Sequence, residues 1–408
     1  MSSIYINKMS NVFGNRQYFI FKPINQSPDG FGHNSGLSQI KFSLSNQNKI
    51  IEEVRLVGNF YSYNSDGSVH DEADATEYNT PIKAGLNGVF KTMTVASKTQ
   101  GRVIERVNNI HRLSASVNTM LNDDNDMNTD LMGWAFNDAD VTNRNGFEGQ
   151  AFSLQLPLGL FNSGNDVIDL SDGGFAGLNL TLNMNTDATI YSGTNAVAQS
   201  PYAVIREVAL VGSWRSVEPT AKGRVIPFKT YSSYFNVLNS SNENTSTTLG
   251  LSNVTGFFAN FLATSSASSY ANACDDLTQL DNLNRVSFAK GGKLRPNSYR
   301  VRPVPLPDSE GSSNQILRQY NSAVMPFNDI KHSNINLQQR SNGAGQNQGV
   351  GCRFTTTGGQ GESFQNSVFQ VNLESDLGTT AEVPTGMYSF FINQNVLGVR
   401  GGQVVVSS

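Results

Sequence analysis

The densest cluster of oxygen ligands in this chain is Asp123-Asp124-Asn125-Asp126-Met127-Asn128-Thr129-Asp130. Side-chain oxygens at Asp124, Asp126 and Asn128 recur at every second residue, the spacing with which a calcium loop opens. Such a loop also needs a glycine at its sixth position and a bidentate glutamate at its twelfth. Counted from Asp124, those places hold Thr129 and Ala135. A solvated loop after a helix is therefore favoured over a cation site, and neither a bound metal nor a cofactor is expected.

The remaining candidates for chemistry are sparse. His33, His70, His111 and His332 are scattered without ligand spacing, and His111 falls inside a helical pattern, where a packed or surface residue is the simpler reading. Cys274 and Cys352 lie far apart without a CxxC, which argues against zinc and against a redox pair and for two reduced thiols. The sequence contains no GxSxG, HExxH, P-loop or strand-to-helix GxGxxG. A sugar-cleaving sandwich would need two carboxylates about 5–10 Å apart in an aromatic groove, and only Trp134 and Trp214 are at hand as large stacking surfaces. Gly401-Gly402, after Val399-Arg400, reads as a turn in preference to a processing site. Arg295, Arg300 and Arg302 form the densest basic group, and no Lys/Arg arm for holding nucleic acid is present. The chain is expected not to be an enzyme.

The elements that would position any site are strands. Ile40–Leu44, Val54–Phe60, Phe152–Leu156, Leu178–Met184 and Val204–Val211 are rich in β-branched and aromatic residues. Most alternate apolar with polar, so one face meets a core. The second half repeats the style in Val225–Phe228, Tyr299–Val304, Val368–Leu373 and Met387–Ile392. A short echo, Leu56-Val57-Gly58-Asn59-Phe60 against Leu210-Val211-Gly212-Ser213-Trp214, is too brief to prove duplication. Two helices are predicted between the strands. One runs from about Thr99 to Leu121 on Val103, Val107, Ile110, Val117 and Leu121; the other runs from Ser252 to Ala263 on Val254, Phe257, Phe258, Phe261 and Leu262. Long connections are expected at about Asn64–Pro81, Asn122–Glu148, Asp308–Gln315 and Lys331–Gly361. The domain boundary is placed at Ser216–Gly223, where Pro219 and Gly223 interrupt the pattern.

With 408 residues there is room for two domains. Charged residues are only 15% of the chain, and its polarity comes from Asn, Ser, Thr, Gly and Gln, which desolvate at a contact more cheaply than charges do. The net charge of −4 supplies no global attraction to DNA or anionic lipid. The start Met1-Ser2-Ser3-Ile4-Tyr5-Ile6-Asn7-Lys8 lacks an apolar signal core, and no stretch of eighteen apolar residues occurs, so neither secretion by signal peptide nor a membrane span is expected.

The order of segments resembles a known family. Val54–Gly58, then Pro81–Val95 running into Ile104–Leu113, is similar to the first jelly roll of double jelly-roll major capsid proteins of polinton-like viruses and virophages. Phe152–Phe161, with its Pro157-Leu158-Gly159-Leu160 turn, and Tyr202–Leu210 resemble later strands of the same barrel. The resemblance implies an all-β fold of two tandem eight-stranded antiparallel jelly rolls with short inserted helices and long loops. Residues 1–215 would form the first jelly roll with an N-terminal arm, and residues 216–408 the second with a C-terminal tail. It further implies a homotrimer as a pseudo-hexagonal capsomer, capsomers tiling an icosahedral virion around DNA held without sequence-specific contact, and penton and minor capsid proteins as partners. A receptor-binding or spike protein with β-sandwich domains is the alternative.

Overall fold

The computed structural model describes residues 16–34, 36–44, 49–68, 84–121, 150–162, 168–169, 177–191, 194–216, 225–238, 243–262, 270, 283–294, 350–354, 361–375, 386–400 and 403–407. In the first half the strands are β1 (Arg16–Phe21), β2 (Gln39–Leu44), β3 (Lys49–Tyr63), β4 (Phe90–Ser97), β5 (Val103–Asn108), β6 (Gln150–Gln155), β7 (Ile168–Asp169), β8 (Leu178–Met184) and β9 (Tyr202–Ser216). The second half has β10 (Ile226–Val237), β11 (Glu243–Leu249), β12 (Val254–Leu262), β13 (Leu283–Lys290), β14 (Lys293–Leu294), β15 (Val350–Arg353), β16 (Ser367–Ser375), β17 (Gly386–Arg400) and β18 (Gln403–Ser407).

These strands form four sheets, ordered β1-β9-β3-β6, β2-β8-β4-β5, β10-β17-β12-β15 and β11-β16-β13-β14, with β7 added on β3 and β18 on β17. All the strand pairs are antiparallel. If β7 and β18 are set aside, the two halves have one topology. The first strand lies beside the eighth, the eighth beside the third and the third beside the sixth, while the second, seventh, fourth and fifth make the facing sheet. This is the wrapped double-sheet arrangement of a jelly roll, present twice. No strand of residues 16–216 pairs with a strand of residues 226–407 among the described residues.

Alternation drives the facing sheets. In β8 every second residue, Leu178, Leu180, Leu182 and Met184, is buried while Asn179, Thr181 and Asn183 are only partly so, and β2 likewise turns Ile40, Phe42 and Leu44 inward. Such period-two burial fixes register, because a slip of one residue would turn the apolar set to solvent.

β12 departs from that rule, and it overturns one of the predicted helices. Ser252–Ala263 is not helical: Val254–Leu262 is a strand buried at every position. Phe257, Phe261, Phe391 and Met387 fill the interior of the second barrel. Phe258, Phe390, Ile392, Tyr231 and Phe228 point the other way and join the core cluster of the first barrel. A sheet covered on both faces reads as a continuous apolar run with no alternation, which is how Val-Thr-Gly-Phe-Phe-Ala-Asn-Phe-Leu imitated a buried helix.

The other predicted helix is half right. Residues 110–121 form α1 (Ile110–Leu121), but Val103–Asn108 is β5, paired with β4. The register shifts at Ile104, which bulges so that Glu105 and Ile104 are both buried. Asn109, at φ 55°, then turns the chain from strand to helix, and its carbonyl accepts the N–H of Arg112 and of Leu113. The expected connections 122–148, 308–315 and most of 64–81 and 331–361 lie outside the described residues, as do the strand expected at Tyr299–Val304 and most of the boundary segment 216–223.

Candidate functional site

Among the described residues, the most elaborate polar and apolar constellation is the seam where the second barrel lies against the first. Its centre is Glu105 on β5, 2% exposed. The N–H of Gly159 donates to one carboxylate oxygen at 2.8 Å and the N–H of Leu160 to the other at 2.9 Å. These two donors belong to a 3-10 turn, Gly159–Asn162, that follows Pro157. Asn162 secures the turn by donating its amide to the carbonyls of Leu156 and Leu158, both at 2.7 Å. Burial raises the Glu105 carboxyl to about 7, against the pull of the Leu160 N–H, the Thr230 side chain and the Gly159 N–H toward the ionised form.

Gly159 is required by proximity, not by backbone angle. A Cβ built on it would lie 1.4 Å from the carbonyl oxygen of Lys229 on β10, so the first barrel's turn touches the second barrel's first strand main chain to main chain. Beside this contact, Asn109 Nδ2 donates to Ser233 Oγ at 3.2 Å and Ser233 Oγ donates to the Asn108 carbonyl at 3.3 Å.

Helix α1 extends the seam across the outer face of β12 and β17. His111 meets the Tyr388 ring edge-on at 6.3 Å, and the Arg112 guanidinium lies 5.8 Å from the centre of the same ring. Desolvation, with Arg112 and Lys91 nearby, depresses His111 to about 3, so it is a neutral packed residue. Asn260 on β12 donates to the hydroxyl of Ser116, which in turn donates to the Arg112 carbonyl at 2.6 Å. Underneath, Phe258 stacks on Phe390 at 5.0 Å and Tyr231 meets Phe258 edge-on at 6.1 Å. A final clasp is made by β18: Arg102 Nη1 donates to the Val404 carbonyl at 3.0 Å, and the Val404 N–H donates to Gln100 Oε1 at 3.2 Å.

Chemically this is a joint. Glu105 meets no thiol or imidazole in these bonds; it is held by two backbone donors that lock a turn, with the Thr230 side chain beside them. Among the described residues no group of three or more His, Cys, Asp or Glu is placed to hold a metal ion, and no helix is long and apolar enough to cross a membrane. Asp124, Asp126 and Asn128 lie outside the described residues, as do Cys274, Trp134, Arg300, Arg302 and Gly401-Gly402. Cys352 is buried, and its thiol is pushed well up by desolvation and by the charge of Glu362. Outside the seam, Asp187 accepts Asn34 Nδ2 at 2.6 Å and the Ala203 N–H at 2.9 Å, and burial lifts it to about 6. It pins the loop after β1 to the start of β9.

No family model matches the chain, and no curated protein matches it by sequence. Its fold, however, matches solved structures along nearly its whole length. The capsid protein of PBCV-1, fitted into a reconstruction of the virophage Sputnik, aligns with TM-score 0.61 at 11% identity, covering 97% of both chains. The Faustovirus major capsid protein aligns with TM-score 0.58 at 10% identity over 94% of this chain and 90% of its own. The mavirus major capsid protein aligns with TM-score 0.54 at 10% identity over 97% and 90% respectively. The class defined here is an all-β chain of two fused jelly rolls, and the fold is the double jelly roll of those viral major capsid proteins.

Proposed function

We propose that the chain is the major building block of a virus shell, a non-enzymatic protein of the virion whose work is to associate with copies of itself. The observation that carries this reading is the repeated topology fused along a buried seam, coupled with a full-length fold likeness to capsid proteins. Two like barrels held at a fixed relation make one chain act as two adjacent tiles. Three such chains closing on a three-fold axis give a six-barrel, pseudo-hexagonal capsomer, and capsomers side by side make an icosahedral sheet around a DNA genome. Residues 1–215 and 216–408 act as the two tiles, and penton and minor capsid proteins complete the shell. The closed three-fold is a cyclic assembly, and an obligate interface of this kind buries roughly 2,000 Å² or more.

The test is native mass followed by electron microscopy. The expected result is a species of three 44.3 kDa chains that forms hexagonal patches or closed shells at high concentration. A monodisperse single chain under all such conditions, or elongated trimers that never tile, would refute the reading.

A further inference from the structure

The basic residues are dispersed along the sequence, and the strand registers gather many of them at one end of both barrels. In the first barrel Arg16 pairs with Arg215 and Lys49 with Ser216. The facing sheet brings Leu44 and Ser97 to Leu178 at this same end, just before the chain enters β3. The β4–β5 turn, residues 98–102, closes the end and exposes Lys98 and Arg102. In the second barrel the β13–β14 turn is the topological counterpart, and it carries Lys290 and Lys293. Arg353 and Arg400 stand at the ends of β15 and β17 nearby. The two ends lie level, because β18 folds back beyond Arg400 and clasps the β4–β5 turn through Val404, Gln100 and Arg102.

Both turns protrude. Gly101 at φ 64° and Gly292 at φ 79° shape them, and a Cβ on either would meet nothing within 4 Å. Thr99 and Gln100 in the first turn, and Gln365 and Asn366 beside the second, are exposed as well. The acids described at this end are Glu52, Glu53, Asp169 and Glu362, the buried Glu105 apart. Glu362 is engaged by Lys290 at 2.9 Å. Cations thus outnumber acids here, in a chain whose net charge is −4. At the opposite end the exposed acids Asp29, Asp66 and Glu207 intermix with Lys22 and Lys91. β4 is eight residues long, which separates the two ends by about 26 Å, roughly three Debye lengths at physiological ionic strength. A polyanion at the basic end therefore meets the local excess and not the net charge.

Lys, Arg, Thr, Asn and Gln are the side chains that contact the phosphates of DNA. A lipid interface is held instead by Trp, Phe and Leu, whereas the apolar residues exposed beside these turns are Val103 and Val368. We propose that this end of the chain is a phosphate-binding surface for duplex DNA, with Lys98 and Arg102 of the first barrel and Lys293 of the second among its contacts. It rests on the shell reading in one respect, that the container encloses DNA, and adds the surface that meets it. Phosphate contacts carry no sequence information. Being few on each chain, they bind weakly singly and gain strength where many copies stand side by side.

The experiment follows a short labelled duplex by fluorescence anisotropy as the full chain is added, over a series of sodium chloride concentrations. The samples are wild type, Lys98→Glu/Lys293→Glu, and Lys22→Glu/Lys91→Glu as a control of equal charge change at the other end. Wild type and control should bind alike. The variant of the basic end should bind more weakly, with a plot of log affinity against log salt shallower by about 1.8, roughly 0.9 for each lost contact. An undiminished slope in that variant, or an equal loss in the control, overturns the proposal, as does a wild type that ignores the duplex. Vesicles containing phosphatidylglycerol form a second arm: sedimentation of wild type with them, while the duplex stays free, gives the surface to lipid and overturns the assignment. Circular dichroism checks folding, and Lys98→Gln/Lys293→Gln, with the same shallower slope expected, stands in should the charge reversal misfold. Native mass separates this proposal from the one it rests on. A trimer that does not bind DNA leaves the shell reading standing, and a chain that binds DNA as expected but never exceeds one chain mass keeps the surface and removes the shell.

Discussion

Replacing Gly159 with alanine should be among the most damaging single-methyl additions in the protein. The new Cβ would sit 1.4 Å from the Lys229 carbonyl oxygen and 2.6 Å from its carbon, with Glu105 Oε1 at 3.3 Å. Main chain cannot rotate out of the way as a side-chain tip can, so turn and strand must part by about 2 Å to reach ordinary contact. Overpacking of this kind costs about 1–3 kcal/mol. Parting the turn also disturbs the N–H bonds of Gly159 and Leu160 to Glu105, and bonds to a charged group contribute about 1.5–3 kcal/mol each. If one of the two is lost, the total is roughly 3–6 kcal/mol, a large share of the ~5–15 kcal/mol that holds an ordinary protein folded. Urea unfolding of the purified protein followed by tryptophan fluorescence, together with limited proteolysis, measures it. A Gly159→Ala protein within 1 kcal/mol of wild type would show that the seam is loose, and the account of Glu105 as a lock would fall with it.

Other expectations concern the same joint and its surroundings. Folding raises the Glu105 carboxyl from its usual 4.5 to about 7, so between those values the folded protein holds a proton that the unfolded chain has released. Its contribution is therefore most favourable below about pH 4.5 and declines by at most about 3 kcal/mol as pH rises to about 7. Asp187, lifted to about 6, has the same sign. Denaturation midpoints across that window should fall less steeply in Glu105→Gln than in wild type, and parallel slopes would contradict the assignment. Phe257→Ala and Phe258→Ala should each cost about 3–5 kcal/mol in calorimetry or denaturant melts, because these neighbours fill two different cores. A cost below 1 kcal/mol for either would mean that β12 is buried on one face only. The Cys352 thiol, buried and with its pKa raised, should react with a thiol reagent only as the protein unfolds. Peptide mapping of the label checks this, and rapid labelling of Cys352 in the native protein would refute its placement.

Much of the fold was legible because the facing sheets are covered on one side only. β2 and β8 were found within a residue or two by alternation of apolar and polar side chains. β12 was not, since its second face is sealed by the other barrel and carries phenylalanine where solvent would demand a polar residue. β5 was absorbed into a helix for a related reason. Its bulge at Ile104 breaks the period of two, and Val103, Val107 and Ile110 then fall at the three- and four-residue spacings of a helix. The seam itself left a single local sign, the Pro157-Leu158-Gly159-Leu160 turn. Nothing in Val-Ile-Glu-Arg-Val-Asn distinguishes Glu105 from a surface carboxylate, because the groups that hold it, the Gly159 and Leu160 N–H and the Thr230 side chain, lie more than fifty positions away.

The clasp between Val404 and the residues Gln100 and Arg102 spans 304 and 302 positions along the chain. During synthesis the first barrel leaves the ribosome long before β18 exists, and it must wait with that corner open. Closing loops of such length is slow and comes late. The joint between the two barrels is thus completed only after β18 has emerged, 302 to 304 positions behind the residues it clasps.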